Sequence, residues 1–431
     1  MYRRVMNDLV AWKNSENRKP LLLTGVRQVG KTYIVNEFGK AHYDSYAYFN
    51  VETSAELRNV FEGDIDPKRI VRILSAMAGK DINPEKTLII LDEIQASNRA
   101  LSSLKYFNEQ APEYHVIATG SLLGVAVKRE GYSFPVGNVD RITMYPMDFE
   151  EFLIAVEEEG LADLIRESYE SLSKFPLHER ALERYRKYLI IGGMPRSVSL
   201  YLNGGDYDQV RAEQSSVIDN YIADMAKYAT PEETVKMIAA WRSIPGQLTK
   251  ANHKFQYRVI KQGAKSKDYA YPIHWLRTAG VIHQAMRVNE AKHPLQAYED
   301  ISYYKTYVSD TGLLCAMLSV TPMAVEVGIG DYDRFRGALA ENYVMQALSS
   351  NGLTPCTWIS EGKAEVDFVI QADDGAIIPI EVKAGDHTRS RSLSRFTELY
   401  HPQYAIRLSA KNFGTAGNIR SIPLYAAFCI R

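Results

Sequence analysis

The chain runs to 431 residues, too long for one ordinary core, and usual domain sizes predict roughly three domains. Apolar residues at 46% and charged residues at 24% exclude a disordered or fibrous class. Lys and Arg total 51 against 52 Asp and Glu, so no global charge attracts nucleic acid and only local patches can do so.

Cys315, Cys356 and Cys429 are scattered, without a partner at metal-ligand or redox spacing, and fit a reducing cytoplasm. The opening stretch MYRRVMNDLVAWKNSENRKP carries charges but no apolar h-region. No later apolar run approaches the ~20 residues of a membrane span, so neither export nor a membrane is expected.

In chain order, the first chemistry lies in PLLLTGVRQVGKTYIV. Leu21 to Leu23 predict a strand, Gly25-Val26-Arg27-Gln28-Val29-Gly30-Lys31-Thr32 a loop, and Tyr33 onward a helix. In that context G-x-x-x-x-G-K-[ST] cradles phosphates. Its glycines let backbone N–H groups turn inward, and the helix amino terminus adds partial positive charge. Lys31 is placed against the β- and γ-phosphates of ATP, and Thr32 as a Mg²⁺ ligand.

TLIILDEIQ reads as a buried parallel strand ending in Asp92 and Glu93, at the edge where ligands of such sheets collect. Asp92 is the expected holder of Mg²⁺, and Glu93 the group that polarises the attacking water. Capping of the next helix is the plain alternative. HVIATGS closes a third strand with Thr119 and Ser121, short polar groups suited to a γ-phosphate, although Thr-Gly-Ser is also ordinary turn chemistry.

GVRQVGKT, LDEIQ, ATGSLL and YPMDFEEFL, in that order, resemble the AAA-type ATPase domain of a large prokaryotic family of P-loop ATPases with an uncharacterised carboxyl-terminal region. The likeness spans the chain. It implies an ATPase core over 1–155 and a small helical lid over 156–205. RALERYRKYLIIGGMPRSV reads as a helix, a Gly-Gly break and a new helix opening at Pro195. From such a lid Arg196 would reach the γ-phosphate as a sensor; a solvated arginine is the alternative. The family pattern often has Gly-Arg shortly before the YP element, an arginine-finger position. Here Asn138 follows Gly137 and Arg141 stands three residues further on, so no arginine finger is assigned.

Residues 206–325 carry no catalytic constellation. Helical patterns around YPIHWLRTAGVIHQAMRV, then strand and turn in YYKTYVSDTGLL, resemble a winged helix. Lys250, Lys254, Arg258, Lys261 and Lys265 recur at helical steps with no acid between them. On one helix they would line a face able to neutralise DNA phosphates; a solvated face is the alternative.

In the last third, EVDFVI and IIPIEVK alternate, so Glu365 and Asp367 share one face of the first strand, and Glu381 and Lys383 one face of the second. A loop centred on Asp374, with Gly375 in the left-handed region after a type I turn, sets Asp367 opposite Glu381 and Glu365 opposite Lys383. In RGALAENYVMQAL, Glu341 interrupts an inward stripe of Ala338, Met345 and Leu348, and an inward acid needs a partner, a metal or Lys383. A surface salt-bridge ladder is the alternative.

Glu341, Asp367 and Glu381-x-Lys383 resemble the PD-(D/E)xK nuclease pattern, with Val366 where that pattern has proline. The resemblance implies that Asp367 and Glu381 hold Mg²⁺, that Glu341 completes the metal shell, and that Lys383 orients the water. Arg389, Arg391 and Arg395 would track a phosphate backbone.

The expected fold is α/β: a P-loop AAA-type ATPase core over 1–155, a helical lid over 156–205, a winged-helix-like domain over 206–325 and a nuclease-like α/β domain over 326–431. The expected function is hydrolysis of ATP, coupled to a tail that binds or cuts DNA. The alternative is a nucleotide-controlled interaction switch with an inactive nuclease-like domain. A homo-oligomer is compatible with either.

Overall fold

The computed structural model describes residues 1–121, 137–250, 254–327, 332–360, 364–385 and 391–431, without the side chains of 332–334. They divide into a first unit, Met1–Tyr145 with Thr278–Gly280, and a second, Pro146–Arg277 with Val281–Arg431.

The first unit is a five-stranded sheet in the order β2-β3-β4-β1-β5. Its strands are β1 (Leu21–Gly25), β2 (Ser45–Asn50), β3 (Thr87–Asp92), β4 (His115–Gly120) and β5 (Asp140–Met144), and every pairing is parallel. Helices α1 (Val5–Lys13), α2 (Lys31–His42), α3 (Ala55–Glu62), α4 (Pro67–Ala78) and α5 (Asn98–Gln110) accompany it. Parallel strands covered on both faces read as unbroken apolar runs, and all of β3 and β4 is buried. Ile89, Leu91, Val116, Leu104 and Phe107 share one core cluster. Fully burying such side chains contributes about 1.5–3 kcal/mol each. Local rules set the helix ends. Asp66 caps α4 by accepting from the Lys68 and Arg69 N–H groups, with Pro67 in its first turn.

β4 lies between β1 and β3, pairing Leu23 with Thr119 on one side and Ile90 with Ile117 on the other. The strand leading into the P-loop and the strand ending in the acid pair are therefore not neighbours. Thr119 stands between them.

The second unit begins with helices Phe149–Ala155, Glu159–Ser171, His178–Ile191, Pro195–Leu202, Tyr207–Tyr228 and Pro231–Leu248. Its eight-stranded mixed sheet has the order β12-β13-β11-β10-β9-β8-β6-β7. The strands are β6 (Ile282–Val288), β7 (Glu299–Val308), β8 (Cys356–Ile359), β9 (Glu365–Gln371), β10 (Ile377–Val382), β11 (Ala405–Ser409), β12 (Gly414–Ala416) and β13 (Ile419–Pro423). The hairpin β6–β7 is not a free wing. β6 pairs in parallel with β8 through Arg287↔Thr357 and Val288↔Trp358, so the expected boundary between 325 and 326 crosses one continuous sheet. An unpaired β6 edge would leave backbone donors and acceptors open, and β8 satisfies them. Trp358, Val366, Val369 and Phe396 form the core beside it.

The basic helix expected from Lys250 to Lys265 does not form. The helix Pro231–Leu248 ends before Lys250, among the described residues between only Tyr257–Ile260 is helical, and the next helix begins at Ser266. Aromatic packing outweighs the charge spacing: the Phe255 N–H donates to the Tyr304 carbonyl at 2.9 Å, and the two rings stack with centroids 5.5 Å apart. The Gln256 N–H donates to Gln247 Oε1 at 2.6 Å, which fixes the chain in an extended turn. Lys254, Arg258, Lys261 and Lys265 are thus not on a shared helical face with Lys250. Among the described residues no helix is long and apolar enough to cross a membrane.

Candidate functional site

The loop after β1 is shaped by backbone conformations that few residues adopt. Gly25 has φ +146°, and a Cβ there would lie 2.2 Å from the Met144 carbonyl oxygen, because β5 pairs Met144 directly with Gly25. Gly30 has φ +96° and opens α2, so Lys31 and Thr32 occupy the first helical turn. Lys31 is buried, and its ammonium donates to the Gly25 and Val26 carbonyls at 2.8 and 3.0 Å. Val26 and Val29 pack inward, whereas Arg27, Gln28 and Tyr33 are exposed. Arg3, which the sequence reading did not single out, is buried and donates to the Val29 carbonyl at 3.0 Å and the Tyr145 carbonyl at 2.6 Å. It ties the loop to the exit of β5.

Asp92 is the hub of the acid end. Its carboxylate accepts from the Thr32 hydroxyl at 2.9 Å, from the Tyr48 hydroxyl at 2.7 Å, and from Thr119. Thr32 and Asp92, far apart in sequence, thus aim hard oxygens at one point, which is the donor set a Mg²⁺ ion takes. Glu93 has φ +53°, a left-handed conformation that turns it out of the strand line. Its Oε2 accepts from Gln95 Nε2 at 2.5 Å. Burial raises the Glu93 carboxyl above its ordinary range, with Gln95 and Lys31 pulling the other way. Ser121 is buried just past β4. Tyr48 and Gln95 were missed. The alternation of SYAYFN, which faces Tyr46 and Tyr48 alike, is the signal that would have found Tyr48.

Arg141 is exposed near the start of β5, opposite Leu22, at the other end of the strand from Gly25. In the second unit Arg196 sits in the first turn of its helix after Pro195, and its Nε lies 3.1 Å from Glu213 Oε2. The Gly-Gly break before it has a partner that the sequence did not reveal. Buried Asp310 accepts from the Gly193 N–H at 2.6 Å and the Leu313 N–H at 2.9 Å. A Cβ at Gly193 would lie 2.0 Å from the Met147 carbonyl oxygen. Gln346 joins this network, accepting from Thr311 and donating to the Tyr188 hydroxyl.

The carboxyl-terminal hairpin has the register centred on Asp374. Gln371 pairs with Ile377 and Phe368 with Ile380; one step further sets Asp367 opposite Glu381. Gly375 has φ +84°, as the turn requires. Lys383 Nζ lies 2.5 Å from Glu381 Oε1. The Val382 N–H donates to Asp367 Oδ2 at 2.8 Å. Glu341 does reach this face, where its charge acts on the expected Lys383 and also on groups the sequence did not point to. It accepts from the Tyr307 hydroxyl at 3.3 Å and lies 3.7 Å from Lys305 Nζ.

Lys305, which the sequence reading passed over inside YYKTYV, is 1% exposed. Its ammonium is also 2.6 Å from Glu365 Oε1 and 3.5 Å from Asp367 Oδ1. Burial works to neutralise it, but Tyr307, Glu341, Asp367 and Glu365 outweigh burial and hold it well above the ordinary lysine range. Among the described residues no three His, Cys, Asp or Glu side chains gather as a metal-holding group. Arg391 and Arg395 lie on the exposed side of helix Arg391–Tyr400, with Arg395 3.4 Å from Glu398; Arg389 falls outside the described residues.

Residues 17–153 match the family model described as AAA domain, the stretch that carries the P-loop and the parallel sheet. Residues 182–324 and 336–427 match two models described as Domain of unknown function, DUF8612 and DUF4143. No curated protein matches the sequence. Among solved structures, it is similar to a signal transduction ATPase with numerous domains and a tetratricopeptide repeat sensor from Pyrococcus horikoshii. That match has 14% identity over 81% of this chain and 45% of the other, with a TM-score of 0.28. The Aeropyrum pernix ORC1 protein in complex with DNA matches at 12% identity over 75% of this chain and 92% of the other, TM-score 0.31. AMPPCP-bound DnaA from Aquifex aeolicus matches at 15% identity over 64% and 85%, TM-score 0.29. At such scores the likeness decides nothing further about this chain. It spans under half the length of the Pyrococcus protein.

Proposed function

We propose that this protein binds ATP with Mg²⁺ and hydrolyses it to ADP and phosphate, using the nucleotide state to control a nuclease-like tail that engages DNA. The observation that carries the ATPase half is the meeting of Thr32 and Asp92 at 2.9 Å, with Glu93 following Asp92. The P-loop N–H groups and the start of α2 would receive the phosphates, and Lys31 would exchange its two loop carbonyls for β- and γ-phosphate oxygens. Thr32 and Asp92 would hold Mg²⁺, which offsets phosphate charge when bound. Glu93 orients the attacking water and takes its proton at the carboxylate, and its raised proton affinity suits that work. Gln95 holds Glu93 in place beforehand. Ser121 and Thr119 stand as the γ-phosphate side of the site. Arg196 as a sensor would have to leave Glu213.

For the tail, the chain order supports a nuclease-like reading: helix Tyr332–Ser350, the antiparallel run β8-β9-β10, helix Arg391–Tyr400, then β11 in parallel beside β10. Asp367, Glu381 and Lys383 share one face at its centre. Arg391 and Arg395, with the cations from Lys250 to Lys265, are the phosphate contacts proposed for DNA, without the single helical face.

The test is nucleotide binding and turnover in two variants. Lys31→Ala loses ATP binding, while Glu93→Gln keeps binding and loses turnover. Wild-type turnover in Glu93→Gln removes Glu93 from the mechanism.

A further inference from the structure

We propose that the Lys305 ammonium is the built-in cation of the carboxyl-terminal carboxylate cluster, and that this cluster takes no divalent metal. The acids of a Mg²⁺ site are all present: Glu341 on helix Tyr332–Ser350, Asp367 on β9 and Glu381 on β10. The cation among them is part of the chain. Lys305 comes from β7 in the same sheet and, with 1% of its side chain exposed, lies 3.7 Å from Glu341 and 3.5 Å from Asp367, two of these acids, and 2.6 Å from Glu365, while Glu381 pairs with Lys383.

The remaining contacts point the same way. Asp367 accepts from the Val382 N–H through its other oxygen, and Glu381 from Lys383. Mg²⁺ demands near-octahedral oxygens at about 2.0–2.1 Å, whereas these oxygens are spaced around nitrogen donors. A divalent ion placed among them would also sit within a few Å of a buried ammonium, where a low dielectric makes like charges repel strongly. Taking the ammonium away reverses the balance. Glu341, Glu365 and Asp367 would then share only the charge of Lys383, which already serves Glu381, and a cation from solvent would relieve them. One consequence rests on the nuclease-like reading of the tail: without a metal to activate water, it holds nucleic acid and does not cut it.

The experiment is a Mn²⁺ titration of the full chain without nucleotide, with free Mn²⁺ followed by electron paramagnetic resonance. Wild type is expected to show no site dependent on Asp367. Lys305→Met, which keeps the unbranched apolar stem and removes the ammonium, gains Mn²⁺ affinity by at least about tenfold. Where that variant does not fold, Lys305→Met with Glu365→Gln lowers the uncompensated charge and is expected to show the same gain. The proposal is overturned by a wild-type Mn²⁺ site that Asp367→Asn abolishes, or by a folded Lys305 variant that gains no affinity. DNA binding in EDTA, read separately by gel shift, tests the nuclease-like reading; its absence leaves the Mn²⁺ result standing.

Discussion

Asp92 accepts from Thr32, Tyr48 and Thr119, so its charge is held by hydroxyls that reach it from α2, β2 and β4. Removing the phenol hydroxyl in Tyr48→Phe deletes one hydrogen bond to the carboxylate and should weaken Mg²⁺-dependent nucleotide binding by about 1.5–3 kcal/mol, measured by fluorescent-nucleotide titration. The places of Lys31 and Thr32 in the first turn of α2, and of Asp92 and Glu93 at the end of β3, were legible from the sequence because they follow from local spacing at the end of a strand. Arg3, Lys305 and Asp310 were not, since each acts on partners far away in the chain that only the folded sheet brings close. Asp310 gives a pH prediction. Burial pushes its carboxyl up from 3.8 to about 6, against the N–H groups of Gly193 and Leu313. A carboxyl with a raised folded pKa binds its proton more tightly when folded, so its stabilising contribution is full below pH 3.8 and is lost as pH rises through about 6. Thermal melts across that window should show this slope in wild type relative to Asp310→Asn, and a parallel course above it.

Among the elements, the hairpin β9–β10 was legible down to its register, because an Asp-Asp-Gly turn with a left-handed glycine leaves little choice of pairing. The basic segment after Lys250 was not, because charge spacing says nothing of the Phe255 and Tyr304 rings that claim the backbone. The separate winged helix also depended on local order alone, and β8 joining β6 ties its hairpin into the larger sheet. The Gly-Gly break at 192–193 has a packing role besides ending a helix. Gly193→Ala drives a methyl into the Met147 carbonyl and should destabilise the second unit by about 1–3 kcal/mol in denaturant unfolding. Asp310, Gln346 and Tyr188 would feel the displacement first.

For the molecule as a whole, an AAA-type domain and a tail with an acid–lysine cluster share one chain, and the account gives the chemistry to the first of them. Arg3 bears on that chemistry from outside the motif. Arg3→Ala frees the Val29 carbonyl and should raise the dissociation constant for ATP several-fold, by about 1 kcal/mol, while leaving the fold intact by circular dichroism. Lys305 sets the expectation for the tail, which is metal-independent binding. The most direct test of the account is single-turnover ATP hydrolysis by wild type and Glu93→Gln, both saturated with Mg²⁺ and ATP. Glu93 acting as the base predicts equal nucleotide occupancy and a rate lower by about 10²–10⁴-fold in the variant. Equal rates at equal occupancy would contradict it.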